Sequence, residues 1–182
     1  MIRPSKPGEE PLILSVISDG AAAYRGKIPA ECWKEPYMDA AELRVETGSG
    51  VDFWCAEESG RLVGVMGLQD VEDVTLIRHS YVRTDRQGQG IGKSLLTRLM
   101  SETDRPVLAG TWAAADWALR FYIKNGFSLL SRRDGEMLLR RYWKIPALQS
   151  ASSVVLGDGK WCTERGSERL KRRIRGGGRA GT

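Results

Sequence analysis

The 182-residue sequence predicts an α+β domain, and three features of the chain carry that expectation. Residues 51–57, 61–69 and 73–82 are rich in β-branched and aromatic residues and are separated by Glu58-Ser59-Gly60 and Asp70-Val71-Glu72, the pattern of an antiparallel meander. A glycine-rich turn, Arg86 to Lys93, then leads straight into a helical pattern. After it, strand-like and helix-like segments alternate over residues 107–143.

In chain order, a short strand is expected at residues 2–3 and a helix over residues 10–24, with Pro29 and Pro36 bracketing the connector that follows. Residues 39–46 read as a second helix, with Ala40, Leu43 and Val45 on one side and Gly48-Ser49-Gly50 ending it. Past the meander, Ile91, Leu95, Leu96, Leu99 and Met100 recur at helical spacing and should face a sheet, and Pro106 closes that helix. Residues 107–111 read as a strand and 114–124 as a helix ended by Asn125-Gly126. Two strands then follow, 127–132 and 136–143, joined by an Asp134-Gly135 turn. A further short strand is expected at residues 152–156, its place in the sheet left open by the pattern. The domain is expected to span residues 1–147, with residues 148–182 as an extension.

Hydrophobic residues at 41% and charged residues at 28% suit a soluble folded domain, and no apolar run approaches the roughly 20 residues of a membrane span. The polar start of the chain, with Pro4 and Pro7, has no secretory-signal pattern, so a cytoplasmic location and no membrane partner are expected. Cys32, Cys55 and Cys162 are far apart and His79 is the single histidine, so free thiols and no metal are expected. The net charge of +5 is concentrated near the C-terminus. Residues 160–182 carry eight Lys or Arg against two Glu, whereas the other 159 residues hold twenty basic and twenty-one acidic groups. A body that grips nucleic acid is therefore not expected, and the basic tail reads as a flexible, solvated segment whose alternative use is electrostatic binding of RNA.

The glycine-rich turn carries the chemistry. Unpaired N–H groups at a helix N-terminus, backed by the helix dipole, make an anion site, and glycines let a diphosphate come close. Two common phosphate loops miss by one residue each. A Walker loop would need glycine at Gln87, although Gly92-Lys93-Ser94 supplies its end, and a dinucleotide fingerprint beginning at Gly88 would need glycine at Lys93.

Downstream of the turn, Ala118, Phe121, Tyr122, Gly126 and Phe127 form Ala-x-x-Phe-Tyr-x-x-x-Gly-Phe. Gln87-x-x-Gly90-x-Gly92 followed by this segment resembles the GNAT superfamily of acyl-CoA-dependent N-acyltransferases, over residues 1–143 and including the opening Ile2-Arg3-Pro4. The resemblance implies a mixed, strongly twisted central sheet of about seven strands flanked by helices, with two central strands splayed to admit a pantetheine arm. It also implies acetyl-CoA as cosubstrate and direct attack by a primary amine in a ternary complex, with no covalent enzyme intermediate. Carried over position by position, Ser80, Tyr81 and Val82 would pair with pantetheine amides through their backbones, and the Val82 N–H would serve as oxyanion donor. Gln87, Gly88, Gln89, Gly90, Ile91, Gly92 and Lys93 would take the diphosphate, Lys93 adding a charge and Gln87 shaping the loop. Tyr122 would be the general acid, a phenol of reference pKa about 10 protonating a thiolate of about 8.5. One position departs from the pattern: where many members carry Asn, three residues before the motif alanine, this chain has Ala115 followed by Asp116.

The general base stays open between His79, placed by strand alternation on the face of Tyr81, Glu57 at the end of the second strand, and a water relay. Trp33, Tyr37 and Trp54 are candidates to line an acceptor pocket. The acceptor is expected to be a small-molecule or protein amine, and a homodimer is compatible with the sequence. Two readings from other classes stand beside this one: a non-catalytic acyl-CoA-binding sensor, permitted by Ala115 but not favoured by Tyr122, and an RNA-associated protein using its basic tail.

Overall fold

The structure, a computed structural model, describes residues 1–164. It is built on a seven-stranded sheet in the order β1-β2-β3-β4-β5-β7-β6. The strands are β1 (Ile2–Pro4), β2 (Asp52–Glu58), β3 (Arg61–Val71), β4 (Val74–Val82), β5 (Val107–Trp112), β6 (Ser128–Leu129) and β7 (Ser153–Gly157). β1 to β4 are antiparallel neighbours, β4 and β5 run parallel, and β7 is antiparallel to both β5 and β6. This is the α+β architecture the sequence predicts, with the meander where the alternating pattern puts it.

Helices cover both faces because successive strand residues point to opposite sides. On one face, Ile13, Val16 and Ile17 of α1 (Glu10–Ala21) and Leu43 of α2 (Ala40–Gly48) pack on Phe53 and Val65. On the other, Leu95 and Leu99 of α3 (Ile91–Met100) and Tyr122 of α4 (Asp116–Lys124) pack on Ile77 and Ala109. α2 starts at a reciprocal cap, in which Asp39 accepts from the Glu42 amide and Glu42 accepts from the Asp39 amide, each at 2.9 Å. Arg3 clasps the sheet edge, donating to Glu9 at 2.6 Å and to Glu57 at 2.8 Å, and the bond to Arg3 pulls the Glu9 carboxyl down to about 2.

The C-terminal third differs from expectation. The segment expected as strand 136–143 is helical: α5 (Arg132–Leu138) runs into a π-helical turn (Leu139–Trp143). Asp134-Gly135 is not a hairpin turn but the first turn of α5, where the Ser131 hydroxyl accepts from the Asp134 amide at 3.2 Å. Gly135 is buried where α5 packs on β7, its Cβ position 3.7 Å from the backbone nitrogen of Val155, an ordinary packing distance. Leu138, Leu139, Tyr142 and Trp143 bury a helical stripe against Leu76, Leu108 and Val155. The strand expected at 127–132 shrinks to two residues, Ser128–Leu129.

β7 answers the question the pattern left open. Beyond a short helix, α6 (Ala147–Ala151), it inserts between β5 and β6, with Ala109 opposite Leu156 and Ser128 opposite Gly157. The boundary expected after residue 147 therefore cuts across the sheet rather than along its margin. The basic run expected in residues 160–182, and the RNA reading attached to it, lie outside the described residues from residue 165 onward. Among the described residues, no helix is long and apolar enough to cross a membrane.

Because Leu156 of β7 is fully buried in the core cluster that also holds Ala109, Tyr122 and Phe127, Leu156→Ala should cost about 2–5 kcal/mol, read as a lower midpoint in urea denaturation. A chain ended at residue 147 should lose cooperative unfolding altogether, because β5 and β6 lose their shared partner.

Candidate active site

The site begins at the turn after β4. Thr84 donates its amide to Asp19 of α1 at 2.6 Å, and Arg61 holds Asp85 at 2.9 Å, which fixes the turn from two sides. Gly88 and Gly90 sit at φ +76° and +83°, a region that glycine enters without a Cβ penalty. Gly90 is the N-cap of α3 and supplies no side-chain cap, so the amides at the start of the helix stay available. A Cβ on Gly92 would lie 3.3 Å from the ring of Phe121, so this glycine lets α3 and α4 approach. Gly88, Gly90, Ile91, Gly92 and the exposed Lys93 border one large cavity. Gln87 donates to the Val82 carbonyl at 3.1 Å and ties the turn to the strand. Gln89 instead turns back to the Asp85 carbonyl at 3.4 Å and does not border the cavity.

The cavity, about 1270 Å³, exists because β4 and β5 part company. Their parallel pairing covers only Thr75–Val107, Leu76–Leu108 and Ile77–Ala109, although β4 continues to Val82 and β5 to Trp112. The register fixes where the freed groups point. Arg83 donates to Val63 at 2.9 Å, so by the antiparallel alternation Val82, opposite Gly64, aims its N–H and C=O away from β3 and into the gap. Gln87 takes the carbonyl, and the N–H faces the cavity.

Across the gap stands Tyr122. Its ring is buried at 5% exposure, edge-on to Phe121 and Phe127 at 5.1 and 5.5 Å. Burial pushes its phenol up to about 12, opposed by a hydrogen bond with the Ser80 side chain. Ser80 therefore points to the α3/α4 face, while Tyr81 packs on the α1/α2 face.

Between them the strand bulges. Val65 pairs with Tyr81 and Gly67 with Arg78, so His79 and Ser80 together face Met66, and His79 takes φ +47°. The alternation that was expected to place His79 does not hold through a bulge, yet His79 still reaches the α1/α2 face, stacked on Phe53 at 5.8 Å. Its buried Nε2 lies 3.1 Å from Oε2 of Glu46 and has no hydrogen-bond partner of good geometry. Arg78 donates to the same Glu46 oxygen at 2.6 Å and to Gln69 at 2.6 Å. Burial pushes the Glu46 carboxyl up, but His79 and Arg78 outweigh it and hold the carboxyl below its usual value.

Beyond the bulge the cavity turns aromatic. Tyr24 lies 5.8 Å from Tyr37 and 5.5 Å from Trp117, and Trp112 donates to the Tyr37 hydroxyl at 3.0 Å. Burial raises the phenols of Tyr24, Tyr37 and Tyr81. The helical segment after β6 closes this end: Trp143 lies across β5 so closely that a Cβ on Gly110 would sit 3.1 Å from its ring.

The structure thus brings Ser80, Tyr81, Val82, Gln87, Gly88, Gly90, Ile91, Gly92, Lys93, His79, Tyr122 and Tyr37 around one cavity. Glu57 is elsewhere, held by Arg3 at the sheet edge, and does not border the cavity. Trp54 lies under Arg98 on the α3 face, and Trp33 packs behind Tyr37. Ala115 is fully buried beside Tyr24 and Trp112, an apolar setting that a polar Asn side chain would not suit. Glu46, Arg78, Trp112 and Trp143 border the cavity without having been singled out from the sequence. The helical spacing of Leu138, Leu139, Tyr142 and Trp143 was the available signal for the last of these.

The acetyltransferase (GNAT) domain matches residues 49–129, the meander, the turn and α4. The mouse protein N-acetyltransferase 8F1 is 25% identical over 129 residues, covering 65% of this chain and 56% of its own. The chain spans about half the length of the curated relatives it matches. Among solved structures, an acetyltransferase of the GNAT family from Staphylococcus aureus Mu50 superposes with a TM-score of 0.66 at 20% identity, over 87% of this chain and 97% of that one. PaiA N-acetyltransferase from Thermoplasma acidophilum, solved in complex with coenzyme A, gives 0.61 at 15% identity, over 87% and 97%. The splayed β4 and β5 and the uncapped glycine turn between strand and helix lie within the residues that match the acetyltransferase (GNAT) domain, and the fold is that of the GNAT-family structure on which it superposes.

Proposed function

We propose that this protein is an acetyl-CoA-dependent N-acetyltransferase that moves an acetyl group to a primary amine by direct attack in a ternary complex. The observation that supports this best is the gap between β4 and β5, which joins the uncapped amides of α3, the Val82 N–H and the Tyr122 hydroxyl to an aromatic chamber in a single cavity. A pantetheine-length arm laid along β4 would replace the ladder partners that β5 withdraws. When bound, acetyl-CoA supplies the activated thioester. The residues present suit it: glycines that clear space for a diphosphate, an exposed Lys93 beside them, and backbone groups turned into the gap.

In this reading Val82 donates its N–H to charge growing on the acyl oxygen. Tyr122 keeps its proton because burial holds its phenol up to about 12, and it gives that proton to the sulfur as the C–S bond breaks. Ser80 orients the phenol, and His79 receives the proton that the amine loses. The aromatic walls from Tyr24, Tyr37 and Tyr81 exclude water from the acceptor end. A cytoplasmic location belongs to the same reading, and Cys32, Cys55 and Cys162 are all free thiols.

Calorimetric titration with acetyl-CoA, with free coenzyme A and a nucleotide as controls, followed by thiol release with pooled amines, tests the proposal. Selective binding with amine-dependent release is the expected result. Binding without release from any amine would favour the sensor reading, and no binding would overturn the assignment.

Tyr122→Phe should lower kcat by about 100-fold or more while leaving the Kd for acetyl-CoA nearly unchanged, which single-turnover kinetics beside calorimetry will resolve. With the phenol at about 12, the wild-type rate should show no alkaline loss from Tyr122 up to about pH 10. Gly90→Glu should have the opposite effect. It forces a side chain into φ +83° and sets a negative charge at the turn, so cofactor binding should weaken by more than about tenfold.

A further inference from the structure

We propose that Glu46, on α2, is the positioning residue for His79: it holds the imidazole with its proton on Nε2, leaving the lone pair of Nδ1 to take the proton from the acceptor amine. This rests on the acetyltransferase reading above and extends it to a residue outside both sequence motifs.

The backbone provides the first observation. His79 sits at φ +47°, a conformation unfavourable for a residue with a Cβ that persists only where its surroundings enforce it. The bulge that enforces it turns the ring onto Phe53, with the planes 24° apart, and brings the buried Nε2 to 3.1 Å from Oε2 of Glu46. A regular strand would not set Arg78 and His79 on the same carboxylate, because neighbours alternate faces.

The second observation is that Glu46 is itself held. One Arg78 nitrogen bonds its Oε2, the other bonds Gln69, and Gln69 donates to the Ser49 carbonyl at 2.9 Å, just past the end of α2. This chain fixes the helix end against β4, so the carboxylate has little freedom to leave the imidazole. The charged groups facing His79 are Glu46 from α2 and Arg78 from β4. Glu42, one turn earlier on α2, is occupied by Lys34 and the Asp39 amide. Phe53 of β2 offers only its ring face.

The third is location. Glu46, Arg78 and His79 all border the cavity, and Ser80, next in the chain, reaches Tyr122 on the opposite face. The base and the residue that reaches the acid would thus come from consecutive positions around the gap. The proton balance closes within the pair: the amine N–H bond breaks, Nδ1 gains the proton, and the resulting imidazolium is stabilised by the Glu46 carboxylate. A purely mechanical clamp needs only Arg78 and Glu46, and it does not account for a strained histidine on the same oxygen.

Because the chain has a single histidine, its ring nitrogens can be read without ambiguity in long-range proton–nitrogen correlation spectra of the untagged wild-type protein. The neutral ring should carry its proton on Nε2, and in Glu46→Ala that preference should be lost. In thiol-release assays, Glu46→Ala should lower kcat at least about tenfold with the Kd for acetyl-CoA unchanged, and should add nothing in a His79→Ala background. Equal losses in both backgrounds, or a wild-type ring protonated on Nδ1, would overturn the proposal. If Glu46→Ala does not fold, Glu46→Gln replaces it in the same cycle, and the wild-type spectrum needs no variant. A wild type that releases no thiol with any amine would sink the acetyltransferase reading, while the spectrum would still decide whether Glu46 orients His79.

Discussion

The constraint on which the rest of the structure depends is the brevity of the β4–β5 ladder, three residue pairs between strands of nine and six residues. Buried backbone groups need partners, so two parallel strands that separate inside a sheet must be held apart. Here the wedges come from both faces. Tyr122 meets Ser80 from the α4 side, and Trp143 lies over Gly110 from the side of α5. The bulge at His79 adds local twist to β4 at the point of separation. Removing any of these would favour longer pairing, and the cavity would close from its apex.

The same geometry arranges the polar groups by face. The glycine turn lies at the end of β4, the phenol of Tyr122 lies below the gap, and the carboxylate of Glu46 lies above it. Each acidic group on the aromatic side has a cation beside it, Arg78 for Glu46 and Lys34 for Glu42. That end of the cavity is therefore not a strongly anionic funnel, and its character comes from its rings more than from net charge.

What was legible in the sequence follows the range of the interactions involved. The turn and α3 were readable because positive-φ glycines and a 3.6-residue apolar stripe are local signals, and Gly90 and Leu95 carry them in this chain. The meander was readable because alternation and short turns are local too. α5 was misread because Tyr142, Trp143 and an Asp-Gly pair favour strand and hairpin by propensity, whereas burial of Leu138 and Leu139 on Leu108 decides for helix. Glu46 was invisible because a glutamate on a short helix usually meets solvent, and only the bulge 33 residues later gives it a buried partner. Glu57 was misplaced for a related reason: its clasp with Arg3 spans 54 residues of chain, and no local pattern encodes it.

The position of β7 also governs the order in which this molecule can be assembled. Synthesis delivers β5 and β6 before the strand that must lie between them. Until residue 157 has emerged, the outer edge of β5 has no ladder partner, and Leu108 lacks the cover that Val155 gives it. A nascent chain halted before that point presents an open strand edge beside apolar surface, the kind of intermediate that self-associates. The closing step of folding is thus a long-range insertion rather than a hairpin zipping shut, which places the slow, loop-closing part of the process at the wall of the cavity itself.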